Sequence, residues 1–425
     1  MEVDPMAANE AISESYLDRY DAATATDQLQ LLQKWFVTDS QGLFAELREH
    51  RPILVTPAFT LVTKFADVTE VLSREMVFNS RYDPALCTAL GGRHILATDG
   101  DVINWRERSL LQVMLAPEDV PRLREVAGRY ADEALDEAMP TGRIDAAGGL
   151  VRKVIIRICM EYLGFRGADP NDLSHWVRPI LIDMVTNFAN DPEMRKETEH
   201  AGGEMMGCMR DLVAQRRAGI TVPHRDLLTR LLNSNIGAGL DMDDERISIN
   251  LAGILLGYVE NGMGSATHLV EELLRHPELP LRDLAEDADR FDPYVWEALR
   301  LNPFFKMLSR KCVSDYVLAG GTPRETLIPA GALVLTSIES AMSDEDQVSE
   351  PAAFRLDRPA HILQMHFGFG HHNCVGWRLG QATVAESVRR LFLRDPWPLP
   401  APEGEIRRGP EGFPRHLVVG LGRRP

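Results

Sequence analysis

The segment His366-Phe367-Gly368-Phe369-Gly370-His371-His372-Asn373-Cys374-Val375-Gly376 constrains this chain more than any other. Two glycines before a cysteine and one after it make a tight turn whose backbone can approach a flat or bulky partner closely. The following WRLGQATVAESVRRLF has helical periodicity, which puts Cys374 in the loop feeding a helix N-terminus. Amides and dipole at such a position favour a thiolate and lower a cysteine's pKa.

Four chemistries are compatible with that turn. A thiolate beside a close-approaching backbone suits an iron porphyrin as an axial ligand. Zinc could draw on His361, His366, His371, His372 and Cys374, although no second cysteine pair accompanies them. Cys374 could act as a nucleophile with His372 as its base. The fourth reading is a plain turn around a buried cysteine.

Composition narrows the field. The chain has 425 residues, 44% hydrophobic and 26% charged, which is ordinary globular usage and excludes disorder and low complexity. Sixty-three acidic against 46 basic side chains give a formal charge of −17, which argues against a nucleic-acid binder. Five cysteines with no CxxC pair make no disulfide framework. The acidic MEVDPMAANE has no basic or apolar leader pattern, and the apolar run at Leu251–Val259 falls short of the roughly 20 residues of a membrane span. A soluble, cytoplasmic protein is expected.

Along the chain, residues 1–25 look like a flexible tail, and 26–425 a single domain. PILVTPAFTLVTKF at 52–65 predicts a hairpin. Helical periodicity recurs at 118–138, 148–163, 172–190, 200–217, 225–233, 245–275 and 292–301. Short strands are predicted within 311–337 and at His416–Leu421. The fold class is mainly α with small β-sheets, an α+β chain with sheet strands from both ends.

The FGxGxHxCxG string resembles the heme-binding loop of the cytochrome P-450 family, the heme-thiolate monooxygenases, with every fixed position filled. The resemblance implies the P-450 fold, with heme b (iron protoporphyrin IX) between a long distal I-helix and the proximal cysteine loop and L-helix. It implies Cys374 as the iron ligand, His372 near a propionate, Phe367 shielding the sulfur and Gly368 in the turn. Glu297 and Arg300, i,i+3 neighbours, resemble the family's K-helix pair. The arginine that usually completes it is missing before Phe354, leaving Arg355 or Arg358. Arg310 and Arg108 fall where the family sends arginines to propionates, and Asn104 stands where a histidine usually does.

The acid–alcohol pair that relays protons in this family falls on Glu260 and Asn261, so the acid is kept and the alcohol replaced. An amide donates and accepts through different atoms and cannot pass a proton as a hydroxyl can. Gly262 and Gly264 predict a kink here, and Ser265, one turn on, offers a substitute hydroxyl. An apolar pocket is expected from Leu86, Leu96, Met184, Val185, Phe188, Phe304, Phe305 and Leu308. Arg106, Arg108, Arg378, Arg407 and Arg408 suggest a basic proximal patch for an acidic ferredoxin-type donor, itself served by a reductase.

The implied reaction uses dioxygen to hydroxylate, epoxidise or oxidatively cyclise a small hydrophobic molecule, in secondary metabolism. The chain is expected to act as a monomer away from membranes and nucleic acids. Asn261 leaves two alternatives: a peroxide-driven or non-oxygenating heme-thiolate catalyst, and a heme-binding sensor without turnover.

Overall fold

The computed structural model describes residues 15–187, 190–219, 225–234, 241–409 and 412–422. Phe188 and most of the stretch read as a tail lie outside the described residues. The last part of that stretch is helical: Tyr16–Ala22 is capped by Ser15, and Glu46 takes the amides of Tyr16 at 2.8 Å and Leu17 at 2.9 Å.

Helices dominate, as the 3.6-residue periodicity requires, and their interior faces merge into one large apolar cluster. At its centre runs the 31-residue helix Asp244–Leu274, capped by Asp243 and carrying Asp244 and Glu245 in its first turn, where acids oppose the dipole. Most of its surface is buried, and that surface is largely apolar, with Ser248, Asn250, Glu260, Thr267 and His268 among the buried polar exceptions. From Ile247 to Val270 only Gly253, Gly257, Asn261 and Ser265 escape burial. They recur every four residues, which places them in one stripe along a single face.

The helix is assigned without a break through Gly262 and Gly264. Both glycines make room for close packing. A Cβ on Gly262 would meet Ile155 Cδ1 at 2.6 Å, and one on Gly264 would meet the Phe304 ring at 2.5 Å.

The predicted hairpin is present as Ile53–Val55 against Thr60–Val62. It extends into a five-stranded sheet through Leu333–Ser337, Met307–Cys312 and Phe78–Ser80, with only the 60–62/333–337 pairing parallel. This sheet fixes Arg310, which lies opposite Ser80 on one side and Val334 on the other. A three-stranded sheet joins Arg143–Asp145, Val418–Gly420 and Trp397–Pro398, bringing the C-terminal run beside the helical core. No helix of the described residues is long and apolar enough to cross a membrane.

Candidate functional site

Cys374 sits in a loop whose backbone closes on itself. The Cys374 amide donates to Phe367 O at 2.8 Å, the Asn373 amide to Gly370 O at 3.1 Å, and Asn373 Nδ2 to Gly368 O at 3.1 Å. Two glycines are obligatory here: Gly368 and Gly370 have φ of 79° and 70°, and a Cβ on Gly370 would strike Leu72 O at 2.2 Å. The next helix, Trp377–Phe392, follows directly, as its periodicity indicates. Phe367 packs over Gly380 of that helix, and His366 stacks on Trp296 with ring centroids 5.9 Å apart and planes within 12°.

Burial pushes the Cys374 thiol up, against the opposing Gly376 amide and the Arg108 charge. The lowering expected from the helix N-terminus is therefore outweighed by desolvation. A buried thiol with a raised pKa is a poor nucleophile, and His372 spends its Nε2 on Asp99 at 2.7 Å. Among the described residues no three His, Cys, Asp or Glu side chains gather to hold an ion, so the zinc reading finds no ligand set.

The Glu297–Arg300 pair is fully enclosed, with Arg300 Nε and Nη2 each 2.8 Å from the carboxylate. Arg358 is the third member: its Nε lies 3.2 Å from Glu297 Oε1, and its Nη2 donates to Glu350 O and Ala353 O. Arg355 contributes only its backbone amide, at 3.0 Å, while its side chain turns out to Asp357 and Glu350. Arg300 also reaches the carbonyls of Met342 and Pro351, tying three segments beside the cysteine loop.

Two cations, Arg310 buried and Arg108 half-buried, flank this loop with no ion pair among the described residues. Arg310 is only 3% exposed and donates to Ser309 O, and Arg108 donates to Asn373 O. Neither forms an ion pair with a carboxylate among the described residues, and burial pushes both guanidinium pKa values down. Asp99, which sequence reasoning missed, accepts the Ser80 amide at 3.1 and 3.2 Å and His372 Nε2, whose pKa burial lowers. Asn104 departs from expectation. Its Nδ2 hydrogens go to Ile95 O at 2.6 Å and Thr98 O at 3.0 Å, so neither remains for a propionate. It straps the preceding loop onto its own helix.

On the central helix Glu260 and Asn261 face different ways, as residues 100° apart must. Glu260 is 1% exposed and takes both oxygens to Arg178 Nη2, at 3.0 and 2.8 Å, with Arg152 at 4.0 Å. These three line an open cavity of about 840 Å³ that also includes Tyr130, Arg157 and His175. Asn261 does not line it. Its Nδ2 donates to Gly257 O at 2.9 Å, and its Oδ1 is buried without a partner. The arginines that hold Glu260 come from helices 82 and 108 residues away, with no local sequence signal. His94 was also missed: its ring covers Gly253, where a Cβ would meet Nε2 at 2.1 Å, and burial lowers its pKa to about 4.

Of the expected pocket residues, Leu96, Met184, Val185, Phe304, Phe305 and Leu308 are half-buried, whereas Leu86 is 1% exposed and belongs to the core. The expected basic patch loses Arg407 and Arg408, while Arg106, Arg108 and Arg378 stay at the helix beside the cysteine loop. Arg408 turns to His268 Nε2 at 3.1 Å, Arg407 shares its hairpin, Arg106 pairs with buried Glu107 and Arg378 lies over Trp377. The helix beside the cysteine loop also exposes large apolar side chains, Val102, Trp105 and Val113, at 77%, 64% and 67%, along with Gln112 and part of Ser109.

For an iron porphyrin the residues fit. A soft sulfur sits in a glycine turn, buried Arg310 and half-buried Arg108 could take anionic groups, and a Cβ on Gly257 would meet nothing within 4 Å. Residues 291–390, which span the Glu297–Arg300 helix and the cysteine loop, match the family model described as Cytochrome P450. Over this segment the chain is similar to the cytochrome P450 family. It is an oxidoreductase of the monooxygenase class, and the similarity implies a heme-iron cofactor. The chain is 27% identical over 359 residues to the cyclomarin C epoxidase CymV of Salinispora arenicola, covering 82% of this chain and 87% of that one. It is 26% identical to the vitamin D(3) 25-hydroxylase of Pseudonocardia autotrophica, over 88% and 90% of the two chains. The fold matches the structure of CYP109E1 from Bacillus megaterium in complex with corticosterone, with a TM-score of 0.75 at 20% identity, over 91% and 99%.

Proposed function

We propose that this chain, one domain over 26–425, binds heme b with Cys374 as the iron ligand and oxidises a small hydrophobic molecule. The carrying observation is the glycine-bound Cys374 flanked by buried Arg310 and half-buried Arg108, neither in an ion pair among the described residues. Arg108, Arg310 and His372 hold the propionates, and Asp99 orients His372. Phe367 covers the sulfur side against water. When bound, the heme supplies dioxygen activation with two electrons from a partner.

The protein's own residues then control protons and substrate. Glu260, reached from the Arg178 side of the open cavity, brings protons in from solvent. Asn261 holds its amide by the Gly257 carbonyl and offers no hydroxyl, so protons pass it through water or substrate. Phe304 and Phe305, ring centroids 4.9 Å apart, and Leu308 give the substrate an apolar wall. A ferredoxin-type donor, kept reduced by its reductase, docks on the Val102–Trp105–Val113 face beside Arg106 and Arg378. The named relatives include an epoxidase and hydroxylases, which supports hydroxylation, epoxidation or oxidative ring closure in secondary metabolism.

The missing hydroxyl at Asn261 favours one second reading, peroxide-driven or non-oxygenating turnover. Turnover of candidate substrates that give type I spectral shifts, with surrogate ferredoxin and reductase and separately with hydrogen peroxide, decides between them. Product with reductase supports the first reading, and product with peroxide alone supports the second. A spectral shift with no product in either arm leaves a sensor and refutes both.

A further inference from the structure

We propose that the open cavity lined by Arg152 and Arg178 is a second ligand site, where these two arginines take the carboxylate of a small organic anion with an apolar body. The site is separate from the one assigned to heme, and its failure would leave that reading intact.

The cavity, of about 840 Å³, lies between the helices Val120–Ala138, Arg152–Ile158 and Pro170–Thr186, with Glu260 of the central helix in its lining. That is the size of a small-molecule pocket. Arg178 gives Nη2 to both Glu260 oxygens, at 3.0 and 2.8 Å, while Arg152 stays 4.0 Å away. Arg152 Nη2 donates instead to Met263 Sδ at 3.1 Å, and a thioether is a weak acceptor. Neither Nη1 has a hydrogen-bond partner among the described residues, and neither arginine has a second carboxylate there. Burial pushes the Arg152 pKa down, opposed by Glu260 and reinforced by the Arg178 charge.

Two half-buried arginines against one buried carboxylate leave one positive charge, which a monoanion neutralises and a phosphate dianion exceeds. Arg415, also on the lining, has a partner of its own. At the mouth Glu137 pairs with Lys153 at 3.0 Å, while Glu133, Glu197, Arg157 and His175 are exposed, where water and salt screen them. The forked donors of a guanidinium match a carboxylate. Ile156, Pro179 and Ile182 line the same cavity, so the ligand carries an apolar chain or ring beside its charge. A chain of formal charge −17 repels anions in general, so an anion bound here is held by this cluster.

The test is calorimetric titration of full-length, heme-loaded protein with hexanoate, with hexanamide as its neutral twin and inorganic phosphate as an anion without an apolar body. Hexanoate binds about tenfold more tightly than either. Arg152→Gln weakens hexanoate about tenfold, and Glu260→Gln, which removes the carboxylate competing for Arg178, tightens it about tenfold. Saturating the iron with imidazole, followed by absorption, leaves hexanoate binding unchanged. No heat with hexanoate, equal binding of hexanamide or phosphate, or loss of binding when imidazole occupies the iron overturns the proposal. So does an affinity that neither substitution moves. The comparisons in the parent protein decide the matter even if a variant fails to fold.

Discussion

Beside the Cys374 loop, Glu297 is enclosed by Arg300, Arg358 and the Arg355 amide, while on the central helix Asn261 and His94 each keep a buried atom with no partner. The Glu297 network satisfies itself, although His366, His371 and His372 in the neighbouring loop keep ring nitrogens without a partner among the described residues. On the central helix an amide oxygen and a ring nitrogen stay unpaired instead. Satisfied buried networks make a rigid frame, and unsatisfied groups mark where a ligand is expected. Arg108 and Arg310 sit between the two kinds, held by backbone carbonyls but in no ion pair among the described residues.

Breaking the satisfied region has the largest effect. Glu297→Ala leaves Arg300, which is fully buried, without its carboxylate and costs about 3–5 kcal/mol in urea denaturation. A loss below about 1 kcal/mol would show that the lock is ornamental and the contrast false. Arg310→Met acts in opposite directions on the two states. Removing an uncompensated buried cation stabilises the heme-free protein by about 1–3 kcal/mol, while heme dissociates faster. Equal destabilisation of both forms would mean that the cation is already satisfied.

The smallest effect is in acid. Burial keeps His94 neutral down to about pH 4, whereas in the unfolded chain it takes a proton near pH 6.5. The unfolded state therefore binds more protons between those values, and stability falls as pH falls through that window. At pH 5 His94 accounts for about 1–2 kcal/mol of the loss. His94→Gln flattens the pH dependence of the denaturation midpoint by that share, and an unchanged slope would place the acid sensitivity elsewhere.

These two regions also differ in how far the sequence reveals them. The Cys374 turn and the Glu297–Arg300 spacing are local patterns, so their geometry follows from residues a few positions apart. The choice of Arg358 over Arg355 depended on the path of the chain after Pro351. Distal partners come from afar: Arg178 and Arg152 reach Glu260 from other helices, and His94 reaches Gly253 from a loop. Alignment by resemblance put Asn104 on a propionate, but a neutral amide beside two free carbonyls finds those first. Arg407 and Arg408 were grouped with Arg378 by charge alone, and the C-terminal hairpin carries Arg408 to His268 instead. The spacing of the central-helix glycines does not show that Phe304 and Ile155 need the room they leave.

The reduced, carbon-monoxide-bound absorption spectrum of heme-loaded parent protein and Cys374→His tests the sulfur ligand most directly. The parent gives the thiolate-type band, and the variant, with heme still bound, loses it for an imidazole-type spectrum. A parent without the thiolate band, or a variant that retains it, would contradict Cys374 as the residue on the iron.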